Sequence, residues 1–327
     1  MSSIKTKIKK HFPHLQYMGV FLAYMHDFRR FSKYSAVTSL STREKLLGFI
    51  IAHYHVIEKG LTMKDRRLGF GKVKLLQLTR NCQLFIDKFG LTDVQVLQAL
   101  SIITEYKELH DSENYDLDPE IDQAINTLLD KFENIKASGQ REFMNGQYFG
   151  NEYTSFSDFA LSRSSVRNYI DKEVPVEVIK DAIKLARTTP SACNRQSIRA
   201  HVYTKPEVIQ KILDIQGGNR GFGHLTNKLI VITAEIGLFH GVYEINGPWI
   251  DGGMFAMNLI YALHDKKVAT CPLNCNISPS KDKMLRKVCD INDSETFMVM
   301  ISCGYVPDHF KAPFSRRYPV EDIMTVH

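Results

Sequence analysis

The apolar pattern of this chain changes period once, and that change governs what it can fold into. From residue 41 to residue 139, apolar residues recur at helical spacing in stretches that open on a polar cap and stop at glycine. "STREKLLGFIIAHYHVIEKG" stops at Gly60 and "KVKLLQLTRNCQLFIDKFG" at Gly90. "TDVQVLQALSIITEYKELH" opens on Thr92 as its cap. "DPEIDQAINTLLDKFENIKASG" has Asp118 as cap, Pro119 at the first helical position and Gly139 as the stop. These helices share no residue-level repeat, so a solenoid is not indicated.

Around 139–160 the period is lost and Gly, Asn and Ser accumulate, so a linker is expected there. Beyond it, helix and strand alternate. "PVEVIKDAIKLARTT" is an amphipathic helix, "RAHVYT" a short strand and "KPEVIQKILDIQ" a second helix. "KLIVITAE" is apolar and β-branched over the length of a buried strand. "PWIDGGMFAMNLIYALHDKK" is apolar on nearly all sides, as a buried helix is. "SPSKDKMLRKVCD" reads as a surface helix and "TFMVMISCGY" as a central strand. The expectation is a helical domain over 1–150 and an α+β domain over 151–327, a layered fold with a central sheet flanked by helices.

Composition matters here for what it excludes. The formal net charge of +6 conceals an asymmetry: 18 Lys/Arg face 7 Asp/Glu up to Lys107, and 3 face 12 from Glu108 to Ala160. The acidic segment is expected to fold against the basic one. With no aromatic-interleaved basic motif, nucleic acid is not an expected partner. The short apolar run from Leu15 to Met25 is broken by Gln16 and Gly19, and no 18-residue apolar stretch occurs, so neither a secretory signal nor stable membrane insertion is expected. A helix there could rest on a membrane surface; a first helix packed on its own protein is the favoured expectation. Cysteines 82, 193, 271, 275, 289 and 303 show no zinc spacing, so free thiols in a reducing cytoplasm and no metal site are expected.

Three short stretches carry the chemistry. "RSSVRNY" (163–169) sets two arginines and two serines within five residues, with no carboxylate inside to neutralise them. Guanidinium forks of this kind suit a phosphate, whose oxygens they bond in pairs while staying charged. "TTPSACNRQSIR" (188–199) is a polar loop that runs into a strand. "FSRRYPVEDIM" (314–324) places Arg316 and Arg317 side by side. Taken singly, these are a helix cap, a turn and a solvated tail. No Walker A, H-E-x-x-H or G-x-G-x-x-G device is present; "GGNRGFG" (217–223) has its glycines in another pattern and precedes a strand.

In order, these stretches resemble the FMN-dependent nitroreductase family over about residues 155–327. "SRSSVRNYIDKEVPVEVIKDAIKLARTTPSACNRQS" is similar to the family's opening segment, "WIDGGMFAMNLIYALHDKKVATCPL" to its buried helix and flavin-facing loop, and "CGYVPDHFKAPFSRRYPVEDIM" to its closing strand and phosphate-binding tail. The resemblance implies that Arg163, Ser164, Ser165 and Arg167 hold the FMN phosphate together with Arg317 and Arg316. It implies that the loop of Pro190, Ser191, Ala192, Asn194 and Gln196 meets the flavin from a neighbouring subunit of a homodimer, and that Asn219 bonds the isoalloxazine. It places Pro272, Leu273 and Asn274 in a loop beneath the ring. The implied activity is hydride transfer from NAD(P)H through flavin to a small organic acceptor, such as a nitroaromatic, a quinone or a dedicated substrate. No residue stands out as an obligatory acid or base. The alternatives are oxidation of a bound substrate with oxygen as acceptor, and a non-catalytic flavin-binding recognition role. The chain departs from the family pattern at "QSIR" (196–199), at Asn274-Cys275, at Ser164 and at Ser315.

Residues 1–150 lie outside that resemblance. Their most chemical stretch is "HYHVIEKGLTMKDRRLGFGK" (53–72), where His55 and Glu58 sit one turn apart while His53 and His55 face different sides. A basic helix end followed by a loop is the expectation, ahead of a glycine-hinged lid over an anionic substrate.

Overall fold

A computed structural model describes residues 13–327 except 35, 38, 133–134, 150–154, 240 and 242. The chain divides into two compact units: one of residues up to Phe31 and Met144–Phe310, the other of Ser32–Phe143 and Lys311–His327. The tail from Lys311 therefore groups with the helices, and the chain changes unit inside β1 (Arg141–Met144) and again inside β6 (His309–Ala312), which pair as a two-stranded sheet.

The helical unit contains α2 (Arg43–Leu61), α3 (Lys72–Phe89), α4 (Val94–Ser112) and α5 (Pro119–Leu129). Thr42 caps α2, accepting from Lys45 N, and Asp118 caps α5 with Pro119 behind it. The cap of α4 is Asp93, which accepts from Gln95 N, one residue later than the Thr92 expected. Helix α5 ends at Leu129, well before Gly139; acidic Asp130 follows it, where the helix dipole disfavours negative charge. Ile50, Ile57, Leu75, Leu78, Phe85, Leu100, Ile103 and Ile125 are fully buried and join one core. Helix α2 ends one residue past the expected stop at Gly60, and glycine is required there because a Cβ would come within 2.0 Å of the Phe70 ring. Phe70 thereby pins the 62–71 loop, as do Tyr106 Oη donating to Phe70 O and Gly69 N donating to His110 Nε2. The basic and acidic segments meet as expected: Lys72 pairs with Asp118 and Lys107 with Asp111 and Asp122.

The sheet unit is built on four antiparallel strands in the order β2 (Ile198–Tyr203), β3 (Lys228–Glu235), β5 (Glu295–Gly304), β4 (Ala269–Asn274). Ile230, Ile232, Ala234, Ile301 and Cys303 form a core with α8 (Val176–Ala186) and α10 (Gly247–Asp265). Helix α9 (Pro206–Gln216) packs on α11 (Pro279–Cys289) and reaches β3, so β3 is covered on both faces and reads as an unbroken apolar run. Three features differ from expectation. The stretch expected as linker holds β1, α6 (Asn145–Phe149) and α7 (Phe156–Ser162). Pro272, Leu273 and Asn274 are not a loop but the end of β4. Proline is admissible there because β4 is an edge strand, so its missing N–H leaves no ladder bond unmade.

The third difference concerns α1 (Pro13–Tyr34), which forms but is not packed into a core: none of its side chains described is buried. Among the described residues, no helix is long and apolar enough to cross a membrane. All six cysteines are free.

Candidate functional site

The stretch 163–169 runs in extended form from the end of α7 and is sewn into the sheet unit by its backbone. Val166 N donates to Thr270 O on β4, and Ile170 N to Tyr305 O beyond β5. Tyr148 Oη donates to Ser164 O at 2.7 Å, and Tyr169 Oη to Val166 O at 2.8 Å. The Tyr169 ring packs on Gly304, where a Cβ would stand 2.8 Å from Cγ of that ring. Ser164, Val166 and Tyr169 are buried anchors, while Arg163, Ser165 and Arg167 are half-buried beside them.

The two guanidinium groups differ from others in the molecule. Arg195 is bidentate with Glu244 at 3.0 and 2.7 Å and stacks on Phe239, so its charge is balanced. Among the described residues, neither Arg163 nor Arg167 pairs with a carboxylate. Arg167 reaches only Ser165 O, at 3.4 Å, and lies over the Phe222 ring. The Nε of Arg163 is buried and has no hydrogen-bond partner among the described residues. A buried donor left unmade costs about 1–3 kcal/mol, more when it is charged, so the group calls for an anion. Its neighbour shows the effect. Burial first, then the charges of Arg163 and Lys267, push the His264 imidazole down to about 4. His264 Nε2 lies 2.8 Å from Ser162 Oγ, one residue ahead of Arg163.

The second stretch is a strained loop ending α8. Cys193, Asn194 and Gln196 all take positive φ, a region that non-glycine residues seldom occupy. Ser191 Oγ accepts from Gln196 N, and Asn194 N donates to Ser191 O. The loop's main holdfast is Asp251 on the first turns of α10. It is buried, and it accepts from Ala192 N at 3.2 Å and from Ser197 Oγ at 3.5 Å. Beside it lies a cavity of about 210 Å³ lined by Pro190, Ser191, Gln196, Arg199 and Phe255 as well as Asp251. Pro190, Ala192 and Asn194 are exposed. Sequence reasoning did not single out Asp251, although the signal was present: it is the only charged residue in the apolar run 248–263.

Asn219 and Asn274, both expected at the flavin ring, are brought together through Gln216. Asn219 Nδ2 donates to Leu213 O at 2.6 Å and to Gln216 Oε1 at 3.2 Å, and Gln216 Nε2 donates to Asn274 O at 3.1 Å. The Asn219 amide nitrogen is therefore committed to the end of α9. On β4, Pro272 and Asn274 share the exposed face while Leu273 points inward.

Arg316 and Arg317 belong to the tail that groups with the helical unit. That tail is held by its backbone: Ser315 N donates to Oε1 of the fully buried Glu58, Gln95 Nε2 to Arg316 O, and Tyr318 packs on the helical core. His55 Nδ1 sits 2.9 Å from the other Glu58 oxygen. Both arginine side chains are exposed, and Arg317 donates to Ser315 O. In the sequence Glu58 belongs to a basic helix end, one turn from His55; its burial comes from the tertiary fold and not from spacing.

A model of the nitroreductase family matches residues 160–219, the stretch that holds Arg163, Arg167, the 188–197 loop and Asn219. Among solved structures, a nitroreductase family protein from Streptococcus pneumoniae is similar at 19% identity, covering 53% of this chain and all of that one, with a TM-score of 0.44. An FMN-dependent nitroreductase from Clostridium difficile is 22% identical over 50% of this chain and 92% of that one, with a TM-score of 0.42. A proposed NAD(P)H:FMN oxidoreductase from Staphylococcus epidermidis is 16% identical over 58% of this chain and 100% of that one, with a TM-score of 0.49. None of the curated proteins matches.

Proposed function

We propose that this protein is an FMN-dependent oxidoreductase that draws hydride from NAD(P)H and delivers it to a small organic acceptor. The observation that carries the reading is the buried Nε of Arg163, which among the described residues has neither a hydrogen-bond partner nor a carboxylate beside it, next to Arg167 and inside the segment that matches the nitroreductase family. A phosphate satisfies that donor and neutralises both guanidiniums.

The residues present fit such a group. Arg163 and Arg167, with Ser165 between them, take the phosphate; Ser164 is buried and its backbone N–H and carbonyl are both engaged with Tyr148 Oη, so it serves as an anchor of the stretch. The cofactor, when bound, supplies the two-electron hydride chemistry, and the protein supplies position and electrostatics. Anchors at Val166, Tyr169 and Gly304 hold the arginines before any ligand arrives, so little ordering is required on binding. Asp251 keeps Ala192 and Ser197 in place and so fixes the conformation in which Ser191 and Asn194 are offered. The Asn219–Gln216–Asn274 network fixes the end of β4, so that Pro272 and Asn274 present a rigid face. His264 stays neutral near pH 7 and adds no charge beside Arg163.

A homodimer with the cofactor at the subunit interface, and a cytoplasmic location, are part of this reading. Helix α10 supports the dimer, because it leaves Trp249, Ile250, Met254 and Met257 at the surface. The resemblance also assigns Arg317 and Arg316 to the phosphate; the present reading rests on Arg163 and Arg167. The test is an absorption spectrum of the purified protein, repeated with NADPH under anaerobic conditions. A flavin band that bleaches is the expected result. A flavin band that persists under NADH and NADPH contradicts reductase function, and failure to take up added FMN contradicts the site.

A further inference from the structure

Helix α1 carries an apolar stripe that no other part of the described chain covers. Tyr17, Phe21, Tyr24, Phe28 and Phe31 follow one another at alternating spacings of four and three. At 100° per residue they fall within an arc of about 80°. Each is more than half exposed, from 55% at Phe21 to 72% at Tyr17. A single exposed aromatic needs no explanation; five aligned ones mark a binding face.

The helix meets its own unit by the other side. Leu22, Ala23 and His26 line a groove with Tyr243, Ile245 and Asn246, and Asn246 Nδ2 donates to Asp27 Oδ2 at 3.0 Å. Leu22, Ala23 and His26 lie roughly 120–180° around the helix from the stripe, so the stripe is turned outward. Arg29 and Lys33, both exposed, lie at about 120–160° from it, on the far side of the helix.

Charge is concentrated in the same place. Residues 1–34 contain Lys5, Lys7, Lys9, Lys10, Arg29, Arg30 and Lys33 against Asp27 alone, a surplus equal to the +6 of the entire chain, and the remainder is formally neutral. Aromatic residues on one side of a helix, with cations ahead of them and on the opposite side, are the pattern of a helix that lies in a membrane interface, where rings settle at headgroup depth. A second copy of the chain fits less well. Paired helices seat Leu, Ile or Val in their seam rather than five rings, and two lysine-rich leads would repel each other.

We propose that residues 1–34 dock the protein peripherally on an anionic lipid surface, with the stripe of α1 entering the headgroup region and the lysines ahead of it attracted to lipid phosphates. This is surface docking, not insertion. It is independent of the flavin reading, and an enzyme so placed would meet acceptors that partition into lipid.

The test is co-sedimentation of the full-length protein with phosphatidylcholine vesicles, with and without added phosphatidylglycerol. The expected result is binding that requires phosphatidylglycerol and is released by salt. Phe21→Ser with Phe28→Ser should weaken it at least tenfold with an unchanged circular dichroism spectrum. Replacing Lys5, Lys7, Lys9 and Lys10 by Gln should weaken it by about fivefold per lysine. This second variant decides the matter if the first fails to fold. No binding to either vesicle, or equal binding to both, overturns the proposal. So does a Phe variant that binds lipid normally but loses a dimer in lipid-free solution, which would assign the stripe to a second copy.

Discussion

Arg163 with Arg167 and Arg316 with Arg317 read alike in the sequence, yet their surroundings differ. The first pair is half-buried on a stretch anchored at Val166 and Tyr169, and one of its donors is sealed from water without a partner. The second pair projects into solvent from a tail held by Ser315 N and Tyr318, so its side chains carry none of the holding. Charge alone does not make a phosphate site. A desolvated, pre-positioned donor gives a large gain on pairing, whereas an exposed one gains little over water.

The comparison is sharpest in flavin retention. Arg163→Ala with Arg167→Ala removes two charge-assisted contacts of about 1.5–3 kcal/mol each, so FMN affinity should fall roughly 10²–10⁴-fold. Arg316→Ala with Arg317→Ala should weaken it by no more than about tenfold, the range for exposed charges. Fluorescence titration of both variants checks this, and equal losses would break the distinction.

Asp251 extends the contrast to the loop. Asp251→Ala strands the buried Ser197 hydroxyl and frees the partly exposed Ala192 N–H, which should destabilise the sheet unit by about 2 kcal/mol and lower its thermal midpoint by roughly 4–8 °C. Asp251→Asn keeps one acceptor and should lose about half as much. Calorimetry of the two variants gives the ranking.

The next effect is in pH. His264 falls from its ordinary 6.5 to about 4 in the folded protein. The unfolded chain therefore binds the extra proton first, and stability drains as pH falls from about 6.5 to about 4, by roughly 2–3 kcal/mol in all. Arg163→Ala removes the second cause of the shift, so the His264 titration followed by NMR should move upward in that variant. A stationary titration would mean that Arg163 is not the neighbour described.

Smallest is the tail. Glu58→Ala deletes the acceptor of Ser315 N, should cost about 1–3 kcal/mol, and should expose residues 314–318 to protease. The Arg316/Arg317 variant should leave protease resistance unchanged, because the tail is held by its backbone.

Much of the fold was legible because its signals are local. The caps at Thr42 and Asp118, the stop at Gly90 and the strand 228–235 lie where composition and period place them. What escaped was tertiary. Pro272 argued against a strand, and only the edge position of β4 permits one. Gly60 marks the end of α2 to within one residue, but the ring of Phe70 that requires glycine there lies ten residues on. At the site, "RSSVRNY" announced an anion, but spacing could not show that Nε of Arg163 is buried without a partner, that Asp251 holds the neighbouring loop, or that Arg316 and Arg317 sit on a tail fastened by Glu58. Those facts depend on which residues the fold brings together.

The most direct measurement is the affinity of the protein for FMN against riboflavin, which lacks only the phosphate, in the wild type and in Arg163→Met. The account predicts that the wild type prefers FMN strongly and that Arg163→Met shrinks the preference by roughly 10–150-fold while riboflavin binding barely changes, matching one charge-assisted hydrogen bond. A preference for FMN that survives Arg163→Met intact would contradict it and move the phosphate to other residues.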